Sequence, residues 1–135
     1  MVVVVPGERE SLRVLRLVAS DMGRTLRLPY DEIDDVRLAV SEAAAMLIGV
    51  GVPEIRCTLR AGDGAGDGAG DGVVVSMHGE PTSGEWPPPR WSDSFGSFGQ
   101  LVLSRIAKDL TVTGDGGIRF RVGGRSPAGG ESRGS

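Results

Sequence analysis

The segment VRLAVSEAAAMLIGVG, residues 36–51, carries the side chain best suited to chemistry, the carboxylate of Glu42. On a helical wheel Glu42 points away from the apolar side of the segment. The apolar side of the whole predicted helix, which begins before this segment, consists of Ile33, Val36, Val40, Ala43, Ala44 and Leu47. One turn to either side of Glu42 lie Leu38 and Met46, which carry no charge that would pair with it. The pattern fits a solvent-exposed helical glutamate, and it fits equally a general base or a polar spot in a partner interface.

The other side chains that could act as a base, a nucleophile or a metal ligand are isolated in the sequence. His78 is the only histidine and Cys57 the only cysteine, and they lie far apart in the sequence. We therefore expect no metal centre, which needs several such ligands, and a single cysteine excludes an internal disulfide. Because Cys57 alternates with polar residues in a predicted strand, we expect it to be a small buried hydrophobic residue.

Length and composition limit the classes of protein to consider. The chain has 135 residues, enough for one domain, and a net charge of −3. That charge gives no electrostatic basis for binding nucleic acid. No apolar run approaches the length of a membrane span, and the first residues lack the pattern of a signal peptide. The composition therefore predicts a soluble cytoplasmic protein.

Periodicity predicts the elements that position these residues. A valine-rich strand at 2–5 precedes a helix over 8–26, and a second helix, with Asp31 as N-cap, runs to Ile48. Two alternating strands, a third helix and a hairpin follow, over 54–60, 73–77, 99–109 and 110–122. This order predicts an α+β fold: a two-layer α/β sandwich whose mixed or antiparallel sheet is covered on one face by about three helices.

Three segments are predicted to lie outside this regular structure. The repeat AGDGAGDGAGDG, residues 61–72, is typical of a flexible linker. Residues 79–98 form a long lid-like loop, in which Trp86 and Trp91 either fix the loop to the domain or present an aromatic anchor to a partner. The tail, 123–135, is predicted to be disordered, which leaves a single domain over residues 1–122.

A row of basic side chains follows the first predicted helix, away from its apolar side. The row consists of Arg9, Arg13, Arg16, Ser20 and Arg24. It is either a solvated helix face or a surface that docks to an acidic partner.

The stretch DDVRLAVSEAAAMLI, residues 34–48, resembles the segment that opens the ATP site of the anti-sigma-factor serine kinases. These kinases belong to the superfamily of Hsp90-like and histidine-kinase-like ATPases. Their segment typically reads Leu-x-x-x-Glu-Ala-x-x-Asn, in which the Glu is the general base toward a serine of an antagonist protein and the Asn binds Mg²⁺. The resemblance covers about residues 1–122, including the element order and the helix FGQLVLSRIAKDL before a terminal hairpin.

The sequence departs from the family at the nucleotide site. Glu42 matches the general base, but Met46 stands at the position of the Asn, and a thioether is a poor ligand for Mg²⁺. In the second motif, Asp-x-Gly-x-Gly, Met77 replaces the adenine-binding Asp while Gly79 is kept. In the phosphate-binding Gly-x-Gly motif, Gly99 is kept. These departures imply a degenerate nucleotide site.

The resemblance implies an anti-sigma factor, a homodimer that sequesters an RNA polymerase sigma factor and is countered by a STAS-type anti-anti-sigma protein. It assigns contact with the sigma factor to Arg9, Arg13 and Arg16, and makes Glu42 either vestigial or part of an apolar partner surface. No cofactor is expected, although the backbone at Gly79 and Gly99 leaves weak ATP and Mg²⁺ binding open. The alternative is an active serine kinase with Glu42 as general base. Its metal ligand would then be Asp93 or Glu85.

Overall fold

The computed structural model describes residues 1–62, 72–87 and 98–123. Within these ranges five strands and three helices follow the predicted order. They are β1 (Val2–Pro6), α1 (Ser11–Thr25), α2 (Tyr30–Gly49), β2 (Glu54–Ala61), β3 (Val73–His78), α3 (Phe98–Ile106), β4 (Lys108–Thr113) and β5 (Gly117–Val122). Most of the predicted linker, Trp91, Asp93 and nearly all of the predicted tail lie outside the described residues.

The five strands form one sheet in the order β1-β2-β3-β5-β4, and every neighbouring pair is antiparallel. Side chains alternate across it, as they must in a pleated strand. Ile55, Cys57 and Leu59 of β2 are buried, whereas Arg56 and Arg60 are exposed. The α+β prediction is confirmed, and of the two sheet types predicted the antiparallel one is observed.

The helices share one hydrophobic core with the inner face of the sheet. Leu15 and Ala19 of α1, Val40 and Leu47 of α2, and Leu103 of α3 are all buried in that core. The arrangement is consistent with a two-layer sandwich, in which helices cover one face of the sheet. The opposite face, which we call the outer face, carries arginines of β2 and β5 together with the exposed Val2 and Val4 of β1.

Helices α1 and α2 pack closely against each other. A glycine in α1 contributes to this approach, because a Cβ at Gly23 would lie 2.8 Å from Cγ1 of Ile33. Gly23 costs helix propensity, but it leaves room for an α2 side chain where a larger residue would clash.

Some predicted boundaries are wrong. Helix α1 begins at Ser11, so Arg9 precedes the helix, and Ser20 is buried rather than part of an exposed row. The N-cap of α2 is Pro29 and not Asp31, since Pro29 has the extended backbone of a cap and α2 begins at Tyr30. Asp31 lies instead in the first turn, where the helix dipole favours an acid. Helix α3 ends at Ile106, three residues earlier than predicted, because β4 begins at Lys108.

Candidate functional site

Helix α2 places Glu42 away from the core, as the helical wheel predicts. Ala39, Ala43 and Leu47 are fully buried, whereas Glu42 is half-buried and its neighbour Leu38 is 41% exposed. Glu42 forms no ion pair with any other described residue. Glu42 is therefore partly exposed to solvent, one turn from the exposed Leu38.

The two methionines at the positions of nucleotide-binding residues are core side chains. Met77 is 2% exposed on the inner face of β3, between Cys57 of β2 and Ile118 of β5 in the sheet register. Met46 is half-buried and packs against the same core. The structure thus brings these two positions into one apolar interior, which suits flexible thioether side chains.

Gly79 has a packing role at the end of β3. A Cβ at this residue would lie 2.9 Å from Cβ of Val52, which belongs to the connection between α2 and β2. Its backbone N–H donates to the carbonyl of Gly116 in the β4–β5 turn, at 3.1 Å. Close packing therefore accounts for a glycine here without any bound nucleotide. Gly99, the other kept glycine, is the second residue of α3.

The described residues contain no group of three or more histidine, cysteine, aspartate or glutamate side chains that could hold a metal ion. Glu85, one of the two alternative ligands, is exposed. Burial raises the pKa of the Cys57 thiol to about 12, so this side chain is protonated at neutral pH and does not act as a thiolate nucleophile.

His78 pairs with the turn between β4 and β5. Its Nε2 lies 3.7 Å from Oδ2 of Asp115, and both side chains are exposed. The hydroxyl of Thr113 donates to Asp115 and lowers the pKa of that carboxyl, with a smaller contribution from His78. The group is a solvated surface pair that links β3 to the hairpin.

A groove of about 370 Å³ lies between α1 and α2 on the side away from the sheet. Its lining consists of Arg13, Arg16, Leu17, Ser20 and Arg37. Leu17 is 66% exposed, so an apolar side chain stands among three guanidinium groups. We call this site the α1–α2 groove.

Hydrogen bonds hold two of these arginines in place. Arg16 donates through Nε to the hydroxyl of the buried Ser41 at 3.1 Å, across the helix pair. Arg37 donates through Nη1 to Asp34 at 3.2 Å, within α2. The groove is therefore a shaped, basic surface with an apolar centre, a combination that suits an acidic amphipathic partner.

Only some of the basic residues predicted for partner contact line this groove. Arg13 and Arg16 line it, but Arg9 does not. Arg37, which the sequence analysis did not single out, completes it from α2. The sequence places Arg37 on the polar side of α2, but only the packing of α2 against α1 shows that this side chain lines a groove.

The beginning of the predicted lid is fixed to the domain. Trp86 is half-buried against the core, and its Nε1–H donates to the carbonyl of Thr113 at 2.8 Å. This contact supports the first interpretation of Trp86, an aromatic side chain that attaches the loop to the β4–β5 hairpin.

The sequence matches no protein-family model, and a search of curated proteins finds no match. Among the described helices, none is both long enough and apolar enough to cross a bilayer.

Proposed function

We propose that this chain is an anti-sigma factor, a protein that binds an RNA polymerase sigma factor and withholds it from the polymerase. A STAS-type anti-anti-sigma protein would release the sigma factor by competition, and the acting form would be a homodimer. The proposal is supported by the resemblance of residues 34–48 to the anti-sigma kinases and by an α+β fold with the element order that this resemblance implies.

The observation that carries the proposal is the α1–α2 groove. Three arginines surround the exposed Leu17 in a chain whose net charge is −3. Opposite charge steers a partner toward such a surface and fixes its orientation, while an apolar centre contributes to affinity through burial. An acidic helix of the sigma factor with one apolar side fits this groove.

The nucleotide site would have no part in this activity. The burial of Met77 among Cys57 and Ile118 leaves no charged group there to hold an adenine amino group. Met46 offers a thioether where Mg²⁺ needs oxygen. Glu42, which does not line the α1–α2 groove, would then be vestigial and would not act as a base.

The experiment is a binding titration with each sigma factor of the organism that encodes the chain, followed by transcription with the one that binds. We expect the protein to inhibit transcription from that sigma factor's promoters. The charge reversal Arg13→Glu should weaken binding about tenfold or more, because repulsion replaces attraction in the groove. The matched control is Arg24→Glu, an exposed α1 residue outside the groove.

Three outcomes would contradict the proposal. One is that no sigma factor binds. Another is that Arg13→Glu and Arg24→Glu weaken binding equally, which would show a general charge effect and not a groove. The third is that the protein phosphorylates a STAS-type partner when ATP and Mg²⁺ are added, which would favour the alternative, a serine kinase with Glu42 as general base.

A further inference from the structure

The two edges of the sheet, β1 and β4, differ in how readily a further strand could pair with them. Natural proteins block exposed edges with charged side chains and with irregularities of the strand. β4 has both: it begins with Lys108 and Asp109, its register with β5 shifts between Lys108 and Thr111, and Asp109 has a φ of 56°. β1 reads VVVVP, with no charged side chain and an unbroken register with β2. β1 is therefore the unblocked edge.

Hydrogen bonds at both ends of β1 show which of its backbone groups face β2. The carbonyl of Met1 accepts from the N–H of Leu59 at 2.9 Å, and the N–H of Gly7 donates to the carbonyl of Pro53 at 3.0 Å. Bonding alternates along an antiparallel strand, so the odd-numbered residues of β1 bond to β2 and the even-numbered residues point their backbone groups outward. These outward residues are Val2, Val4 and Pro6. No described strand pairs with that side of β1.

Exposed valines flank this row of backbone groups on both faces of the sheet. Val2 and Val4 are 55% and 45% exposed on the outer face. On the inner face, α1 packs over β1 and β2, and its Val14 is 44% exposed. Val14 is two residues, or about 200° of helical rotation, before Arg16, which bonds to Ser41 of α2. Val14 therefore lies on the side of α1 away from α2, toward the β1 edge.

We propose that β1 pairs with β1 of a second copy of this chain, antiparallel and about a two-fold axis at Val3. The two sheets then form one sheet of ten strands, five from each copy. Val2 of each copy lies opposite Val4 of the other, and each such pair exchanges two N–H to C=O bonds. Because β1 has no charge, two copies bring no like charges together, whereas a charged partner strand would find no complement on it. A two-fold interface needs such a self-complementary patch.

Pro6 favours this register over an axis at Val4. Pro6 has no N–H, and its carbonyl already accepts from the N–H of Glu8 at 2.8 Å, so the unpaired stretch ends before it. An axis at Val4 would place Val2 opposite Pro6 of the second copy and leave the carbonyl of Val2 without a donor. An axis at Val3 gives every outward group of Val2 and Val4 a partner.

The pairing gives the homodimer of the proposed function a specific interface. It rests on that function for the role of the dimer, whereas the pairing itself is argued from β1. The α1–α2 groove is on the opposite side of α1 from this edge, so both copies would keep it accessible.

Analytical ultracentrifugation of the full chain, without a sigma factor, measures the pairing. We expect a concentration-dependent dimer, and a dissociation constant at least about tenfold higher for Val4→Lys, because an edge lysine puts a charge from each copy into an apolar strip. The matched control is Leu17→Lys, another exposed apolar residue, which lies in the α1–α2 groove and should leave the dimer unchanged. Val4→Pro removes the outward N–H without adding charge and should also weaken the dimer. Circular dichroism checks that each variant keeps its fold.

Cysteine variants test the register. In the proposed dimer the Cα atoms of residues 2 and 4 from opposite copies are about 5.5 Å apart, within the range of a disulfide. Under mild oxidation, a mixture of Val2→Cys and Val4→Cys proteins should therefore form a disulfide-linked dimer. A mixture of Val2→Cys with Tyr30→Cys, at an 85% exposed residue of α2, measures the collisional background. Cys57 is buried and does not compete.

Several results would overturn the pairing. They are a monomer at all concentrations, equal effects of Val4→Lys and Leu17→Lys on the dimer, and cross-linking of the Val2→Cys and Val4→Cys mixture no greater than background. The outcome is separable from that of the proposed function. A monomeric protein that binds a sigma factor would overturn the pairing and leave sigma binding standing, and a dimer weakened by Val4→Lys that binds no sigma factor would do the reverse.

Discussion

The burial of Met77 determines which side chains its position can hold. Met77 lies between Cys57 and Ile118 on the inner face of the sheet and is almost fully enclosed. A carboxylate at this position would be removed from water and would have no charged partner to compensate, unless a ligand supplied one. The interior beside α2 and β3 is therefore organised as a packed core.

We expect Met77→Leu to change the free energy of unfolding by less than about 1.5 kcal/mol, because the volume is conserved. Met77→Asp should cost more than about 3 kcal/mol near neutral pH, because it buries an unpaired carboxylate. Burial raises the pKa of such a carboxyl in the folded state. The decrease in the free energy of unfolding should therefore grow as the pH rises above about 3.9, the ordinary pKa of an aspartate. Urea unfolding at two pH values measures this. Equal stability of the two variants would indicate a polar pocket around residue 77.

Gly79 offers a second test at the scale of one residue. Gly79→Ala should destabilise the fold by about 1–3 kcal/mol, because the new methyl group would approach the Val52 side chain at 2.9 Å. The matched control is Gly49→Ala, where nothing lies within 4 Å and the residue is helical, so its stability should be unchanged or slightly higher. Thermal unfolding compares the two. If Gly79→Ala is as stable as the control, close packing does not explain this glycine.

At the scale of elements, periodicity predicted most of what the structure contains. The apolar side of α2 and the alternation in β2 follow directly from burial on one side, so their core residues were predictable. The start of α2 was not predictable in the same way. Asp31 and Pro29 are both compatible with an N-cap, and the local sequence does not decide between them. The end of α3 was predicted too late because Lys108 and Asp109 fit the helical pattern of the sequence but belong to β4 in the structure.

Contacts between elements were the least predictable part. The α1–α2 groove depends on the packing of two helices, so the sequence indicated Arg13 and Arg16 but gave no reason to add Arg37. The proximity of Arg60 and Arg121, which flank Val74 on the outer face, depends on strand order and register. No spacing along the chain reveals that residues some sixty positions apart flank the same valine.

Trp86 provides a prediction at this scale, because it joins the loop after β3 to the β4–β5 hairpin. Trp86→Phe keeps an aromatic ring but removes the N–H that donates to Thr113, so we expect a loss of about 1 kcal/mol. Trp86→Ala removes the packing as well and should cost more. Tryptophan fluorescence is altered by both changes, so unfolding is followed by circular dichroism. Equal stability of Trp86→Ala and the unmodified protein would show that the loop is not attached through this side chain.

At the scale of the whole molecule, the sheet separates two surfaces with different chemistry. The helical side carries the α1–α2 groove, which combines charge with the exposed Leu17 and suits a protein partner. The outer face carries Arg56 and Arg60 of β2 and Arg119 and Arg121 of β5. The core between them contains Met77, and the half-buried Met46 packs against it, so both positions that resemble a nucleotide site contribute to the packing of the domain.

The most direct test of a nucleotide site lost to packing is a calorimetric titration of the protein with ATP and Mg²⁺, with inorganic phosphate titrated in parallel. We predict no saturable binding that requires both adenine and Mg²⁺. Saturable binding of ATP that requires Mg²⁺ and that inorganic phosphate does not reproduce would contradict the account. It would return Glu42 to the role of general base.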